Sequence, residues 1–386
     1  LHLLKSQLKG LNMSEKNNIE KNIITEQPIT QVLPVETSLA NITPSAPIDE
    51  REVGQSYWSL VKHQYKKNKL AVAAIYIVIL LVLVAVFADF LANNKPIYAK
   101  YKGTIYFPVF KEYMVNLGLG KWDTEFLNVD WRTLDFESAV WPPIKFFPND
   151  VDLFNNMTGP SVATGHYLGT DAIGRDVLSG LIHGSRISLS VGFVAAGIAV
   201  LIGVVLGALA GYYGGYVDIG IMRFVEIMTL FPAFFLIITI VALYGSSIWF
   251  IMIAIGLTTW TGNARLTRGE VLKVRNMDYI SAATSLGLKN KRILFRHVLP
   301  NALAPVLVSA AFEIAGAILT EAGLSFLGFG VKATTVTWGS VLSEARGATS
   351  SWWLAVFPGF MIFITIVAYN LVGEGLRDAL DPRLRD

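Results

Sequence analysis

From Ile227 to Ala264 the chain runs for 38 residues without a Lys, Arg, Asp or Glu. As a helix this would be about 57 Å long, nearly twice the roughly 30 Å hydrocarbon core of a bilayer. Gly245-Ser246-Ser247 sits inside the run as a turn, so the run predicts a helical hairpin. Leu70–Ala88 (19 residues) and Ile187–Val217 (31 residues) are also uncharged. Pro300–Gly323, interrupted by Glu313 and with Glu321 near its end, and Ser351–Gly373 complete the set. Together they predict an all-α membrane protein with six transmembrane helices. Composition agrees: 53% of residues are hydrophobic and 16% charged, against about 25% charged in soluble domains.

The remaining charges predict the topology, because cytoplasmic loops are enriched in Lys and Arg. Lys62, Lys66, Lys67 and Lys69 crowd the start of the first span. The loop 263–301 carries Arg265, Arg268, Lys273, Arg275, Lys289, Lys291, Arg292 and Arg296 against only Glu270 and Asp278. Arg377, Arg383 and Arg385 follow the last span. All three stretches are expected on the cytoplasmic side, with both termini. A net charge of +3 does not point to nucleic acid, and the absence of cysteine excludes disulfides, thiolate zinc sites and cysteine nucleophiles. Scattered histidines without paired-ligand spacing predict no metal site.

Outside the spans, residues 1–56 have no aromatic residue and read as a disordered tail, with Met13 a candidate start. Residues 57–91 read as an interfacial lead helix and the first span. Residues 92–186 are rich in aromatics, including Trp122, Trp131 and Trp141-Pro142-Pro143, and predict a small ordered cap on the outer face. That cap either docks a partner or only packs on the bundle. Residues 187–376 form the core and 377–386 a tail.

Several positions stand out within the core. Ala195, Ala199, Gly203, Gly207 and Gly211 recur every fourth residue, the small-residue stripe that lets membrane helices approach closely. The stripe predicts tight packing, in the bundle or between subunits. Glu313, about 18 Å into its helix, must face water, a partner or a proton, and is a candidate lining residue of a translocation path. Glu321 reads as structural, and Arg223 and Glu226, three apart, as an ion pair. No histidine falls within the expected spans, which leaves a Ser-His intramembrane hydrolase without its base. Gly118-Leu119-Gly120-Lys121 lacks the spacing and hydroxyl of a phosphate loop, so the chain is expected to hold no nucleotide or other cofactor.

The stretch Asp278-Tyr279-Ile280-Ser281-Ala282-Ala283-Thr284-Ser285-Leu286-Gly287 predicts a short helix capped by Gly287. Ala282 and Ala283 would leave one side of it low enough to enter a partner's groove. A basic segment with Arg292 and His297 then leads to Pro300, expected to open the fifth span. The Ala-Ala-x-x-x-Gly spacing followed by Leu-Pro resembles the coupling motif of permeases in bacterial ATP-binding-cassette importers. Ser281 stands where the general motif has Glu. His166–Asp171 with Gly174-Arg175-Asp176, Gly323–Gly328 and Gly375–Arg383 resemble the dipeptide/oligopeptide (peptide/nickel) branch of that family.

The resemblance implies a type I importer permease in the bacterial inner membrane, not itself an enzyme. It would pair with a second, different permease, two cytoplasmic ATPases holding ATP and Mg, and an extracytoplasmic substrate-binding protein that delivers peptide. The coupling residues it implies are Tyr279, Ser281, Ala282, Ala283, Gly287, Arg292, His297 and Pro300. A secondary transporter or channel working in the lipid without ATPases is the competing expectation.

Overall fold

The computed structural model describes residues 57–380, apart from Asn128, Ala333 and Thr349. The expected disordered tail 1–56 and the last basic residues, Arg383 and Arg385, lie outside the described residues.

The chain enters through α1 (Tyr57–Lys67) and turns at Asn68 into α2 (Lys69–Val86). The Asn68 side chain accepts from the Ala71 amide at 3.1 Å, satisfying one of the free donors that begin any helix. A short turn, α3 (Ala88–Leu91), leads into a cap. The cap holds β1 (Tyr98–Tyr101), β2 (Thr104–Tyr106), α4 (Pro108–Asn116) and β3 (Ser138–Val140). The strands form an antiparallel sheet ordered β2-β1-β3, with Ala99 opposite Tyr106 and Ala139. Lys102 and Gly103, both at positive φ (50° and 77°), make the two-residue turn that matches strand twist. Trp131 is buried and stacks on Phe126 with ring centroids 4.6 Å apart, filling the cap's small core. The all-α expectation is therefore corrected in this region: strands of three or four residues leave too little alternation to read in sequence.

The membrane core is α5 (Val177–Tyr213), α6 (Gly215–Leu230), α7 (Ala233–Tyr244) and α8 (Ile248–Arg275), then α9 (Asp278–Ser285), α10 (Asn290–Phe326), α11 (Trp338–Ser343) and α12 (Trp353–Leu380). α5 begins ahead of the expected boundary at 186, because Asp176 caps it by accepting from the Ser179 amide at 2.6 Å. Gly214, at φ 65°, ends it. The hairpin turn falls at Gly245, φ 93°, as the sequence suggests. The arm before that turn is broken, however, since Phe231-Pro232 bends α6 against α7 by 80°. Proline lacks the amide needed to continue the helix and drives its predecessor to extended backbone.

α10 also starts earlier than expected. Its first turns are the basic segment itself, joined through a π-turn at Leu294–Val298 to the part that Pro300 was expected to open. Among the described residues, four helices are long and apolar enough to cross a membrane: α2, α5, α10 and α12. The bent pair α6–α7 makes a fifth if it is one span. The expectation of six falls short at α8, where Thr258, Thr259, Thr261, Asn263, Arg265 and Arg268 dilute a helix of 28 residues.

Close packing organises the bundle around α5 and α8. A Cβ built on Gly207 would lie 2.8 Å from the Thr267 Cβ, and one on Gly211 2.8 Å from the Arg268 carbonyl oxygen. Gly203 abuts Trp260 and Ala264 in the same way, at 2.9 Å. Ala195 and Ala199, fully buried, continue the stripe. The stripe therefore faces a helix of the same chain. At one end α1 folds onto α12: a Cβ built on Gly375 would lie 2.9 Å from the Tyr65 ring, and Asn68 donates to Asp378 at 3.2 Å.

Candidate functional site

Two features gather the sequence-derived residues. The first is α9, at the end of the bundle opposite the cap. Ile280 and Ala283, one helical turn apart, are buried against Tyr212 of α5, Val271 and Val274 of α8, and Ile293, Leu294 and Val298 of α10. Ala282 lies a third of a turn away and is exposed, with Tyr279, Ser281 and Ser285. The two alanines thus do different work, which corrects the expectation that together they leave one side low: Ala283 seats the helix and Ala282 is the shallow point of its outer face.

Gly287, at φ 74°, follows the helix in the left-handed conformation that lets its own amide bond Thr284 and the Leu288 amide bond Ala283. Arg292 and Pro300 are exposed and His297 half-buried on the adjoining turns of α10. Asn301 donates to the His297 carbonyl at 2.7 Å and reaches the Tyr279 hydroxyl at 3.4 Å. Sequence reasoning missed Leu286 and Phe295, which are 82% and 65% exposed beside this face. Large apolar side chains left uncovered beside a firmly seated helix are a feature that docking would bury.

Nearby, Arg268 of α8 clasps Asp218 of α6 through two guanidinium nitrogens, one at 2.6 Å. This bidentate pair was also missed, since fifty residues separate its members. The pair that spacing does predict, Arg223 with Glu226, forms at 2.7 Å.

The second feature is Glu313, on the face shared by α8 and α10. The Asn263 amide nitrogen donates to both of its carboxylate oxygens, each at 2.7 Å. Ser309 donates to the Asn263 carbonyl oxygen at 2.7 Å, so both ends of the amide are engaged. Asn263 itself is buried, and a cleft of about 410 Å³ opens beside the carboxylate. Glu321 is elsewhere and fully buried, accepting from Ser325 at 2.7 Å and Thr337 at 2.9 Å, and so ties α10 to the segment before α11.

At the cap end, the motif 166–176 is a clamp. His166, sealed from solvent, meets Asp176 at 2.9 Å, and Trp353 of α12 donates to the Thr170 carbonyl at 3.0 Å. Arg175 bridges Asp171 (2.6 Å) and Glu344 (2.9 Å). His183 falls within α5, against the expectation of no histidine in a span, and donates to the Ala92 carbonyl at 2.7 Å.

The arrangement has a firmly seated helix at one end, a clamped cap at the other, and a polar cleft between helices. Comparison with known proteins places it. The family of binding-protein-dependent transport system inner membrane components matches residues 203–386, and the N-terminal TM domain of oligopeptide transport permease C matches residues 56–107. The dipeptide transport system permease protein DppC of Alkalihalophilus pseudofirmus is 35% identical over 342 residues, 88% of this chain and 95% of that one. The chain belongs to the OppC/DppC-type permease family. The oligopeptide permease OppC of Haemophilus influenzae is 41% identical over 62% of this permease and 78% of its own length. OppC of Escherichia coli K12 is 43% identical over 62% and 80%. Membership makes the chain a multi-pass inner-membrane permease component, not the ATPase, and implies ATPase and binding-protein partners.

Proposed function

We propose that this permease forms half of the path by which an ATP-driven importer of the type I class brings di- and oligopeptides into the cell. The other half would be a second, different permease. α9 with Gly287, Arg292, His297 and Pro300 is the element that receives motion from two ATPases, and Glu313 lines the path. In this reading α8 is the sixth crossing, the basic end with α9 and both termini is cytoplasmic, and the cap faces the binding protein. ATP and Mg bind only to the partner ATPases.

The single observation that carries the reading is the split of α9. Ile280 and Ala283 are locked to three core helices, while Tyr279, Ser281, Ala282 and Leu286 are presented outward. A helix held in this way passes a push on its outer face directly to α5, α8 and α10. The test is recovery of the tagged permease from gently solubilised membranes. ATPase subunits should come with it, and an Ala282→Arg variant should lose them while the second permease stays bound. Recovery of the chain alone, or peptide flux through it in vesicles without ATPases, would overturn the proposal in favour of a secondary transporter or channel.

A further inference from the structure

The Glu313 cleft has a feature that path lining alone does not require. Its walls come from Thr259, Gly262, Ser309, Phe312, Gly316 and Thr320 among others, and among the described residues Glu313 is the one charged group in it. A carboxylate offers about four acceptor positions. Asn263 supplies donors to one side of both oxygens and is itself held by Ser309, leaving the outward lone pairs to the cleft. A carboxylate at this depth calls for a positive partner, and none of the cleft's residues supplies one.

The cleft is also not closed off. It shares Ser309 and Phe312 with a second cleft of about 540 Å³ that runs to Glu270, Asn301 and Arg377 at the basic end. Phe312 rests against Gly373 of α12, where a Cβ would lie 3.0 Å from its ring, so the aromatic stands where the two clefts join.

We propose that Glu313, braced by Asn263 and Ser309, is a recognition site for a primary ammonium group carried by the cargo. The ammonium of a peptide N-terminus or of a lysine side chain has the charge and the three donors that the open lone pairs accept. The inference rests on the reading of Glu313 as path lining given above, and adds the chemistry that it recognises.

The chain has no cysteine, so Gly316→Cys places a unique thiol one helical turn from Glu313, at a position where a Cβ meets nothing within 4 Å. In the assembled transporter in proteoliposomes, a cationic methanethiosulfonate should modify G316C about tenfold faster than an anionic one. Adding Glu313→Gln should bring that ratio close to one while a neutral reagent reacts as before, which shows that the fold is intact. A lysine-free peptide with a free N-terminus and an N-acetylated lysine peptide then distinguish the two ammonium sources. Either should slow the modification of G316C, and neither should do so once Glu313→Gln is present. Equal rates for the two charged reagents, or a preference that survives Glu313→Gln, would overturn the proposal and leave the path reading in place. Failure of every reagent to reach G316C would instead overturn the path reading, and this inference with it.

Discussion

The His166 imidazole and the Asp176 carboxylate meet at 2.9 Å with both side chains closed to solvent, and the same carboxylate caps α5. One acid thereby fixes the start of one of the two longest helices and the loop that folds over it. Asp152 approaches the other ring nitrogen at 3.5 Å, and Phe146 stacks on the ring. Burial pulls the imidazole pKa down, but the bond and charge of Asp176, with Asp152, outweigh it, and the net direction is upward from 6.5.

A histidine whose folded pKa is raised adds stability that is complete below its unfolded value and fades as pH rises through the folded one. The cap of the wild-type permease should therefore resist proteolysis best below about pH 6.5 and progressively less above it. His166→Asn should flatten that dependence, and His166→Ala should cost about 3 kcal/mol by leaving Asp176 buried without its partner. Limited proteolysis in proteoliposomes across pH 5.5 to 8 checks both.

The α5–α8 contact separates two glycine substitutions only ten positions apart. Gly207→Leu would drive a side chain into Thr267 and the α8 backbone, and should lower the melting temperature and the yield of assembled permease, at a cost of about 3 kcal/mol or more. Gly197→Ala meets nothing within 4 Å and should be neutral or stabilising by up to about 1 kcal/mol, the ordinary helix preference for alanine. Thermal denaturation in detergent distinguishes the two.

Gly287 has open space around it but a φ of 74°. Gly287→Val should cost about 1–2 kcal/mol locally, too little to block membrane insertion but enough to shift the turn after α9. Peptide uptake should fall at least tenfold at unchanged membrane abundance. Normal uptake by this variant would remove Gly287 from the coupling element.

Arg268 and Asp218 hold α8 to α6 on the basic side. Asp218→Arg should destabilise the permease by setting two guanidinium groups together. Asp218→Arg combined with Arg268→Asp should recover part of the loss, which a double-mutant cycle on melting temperature measures.

The uncharged runs revealed the helix interiors because lipid tolerates little else there. Helix starts were harder to read. Ser179, His183 and Arg186 make the first turns of α5 look like loop, and their satisfaction by Asp176, Phe146, Ala92 and Ala85 is visible only in three dimensions. The basic residues from Lys289 to His297 hid the start of α10 in the same way. The loop helix and its terminating glycine were legible from local chemistry. The different facing of Ala282 and Ala283, about 100° apart, was implicit in the helical period once Ile280 is recognised as the buried residue. Glu313 could be flagged from its depth alone, but Asn263 lies fifty residues away on another helix, and no spacing rule connects them.

The length of α5 has a kinematic consequence. At 37 residues it is about 56 Å long, almost twice the bilayer core that it crosses. Tyr212, near one end, packs on the residues that seat α9, and Asp176, at the other, holds the cap through His166. Pivoted on its glycine contact with α8, such a rod would work as a lever. Pivoting it by about 5° moves one end relative to the other by roughly 5 Å, the scale of a side chain. In the proposed importer, a small displacement at the basic end would thus reach the cap end without any intervening loop to absorb it.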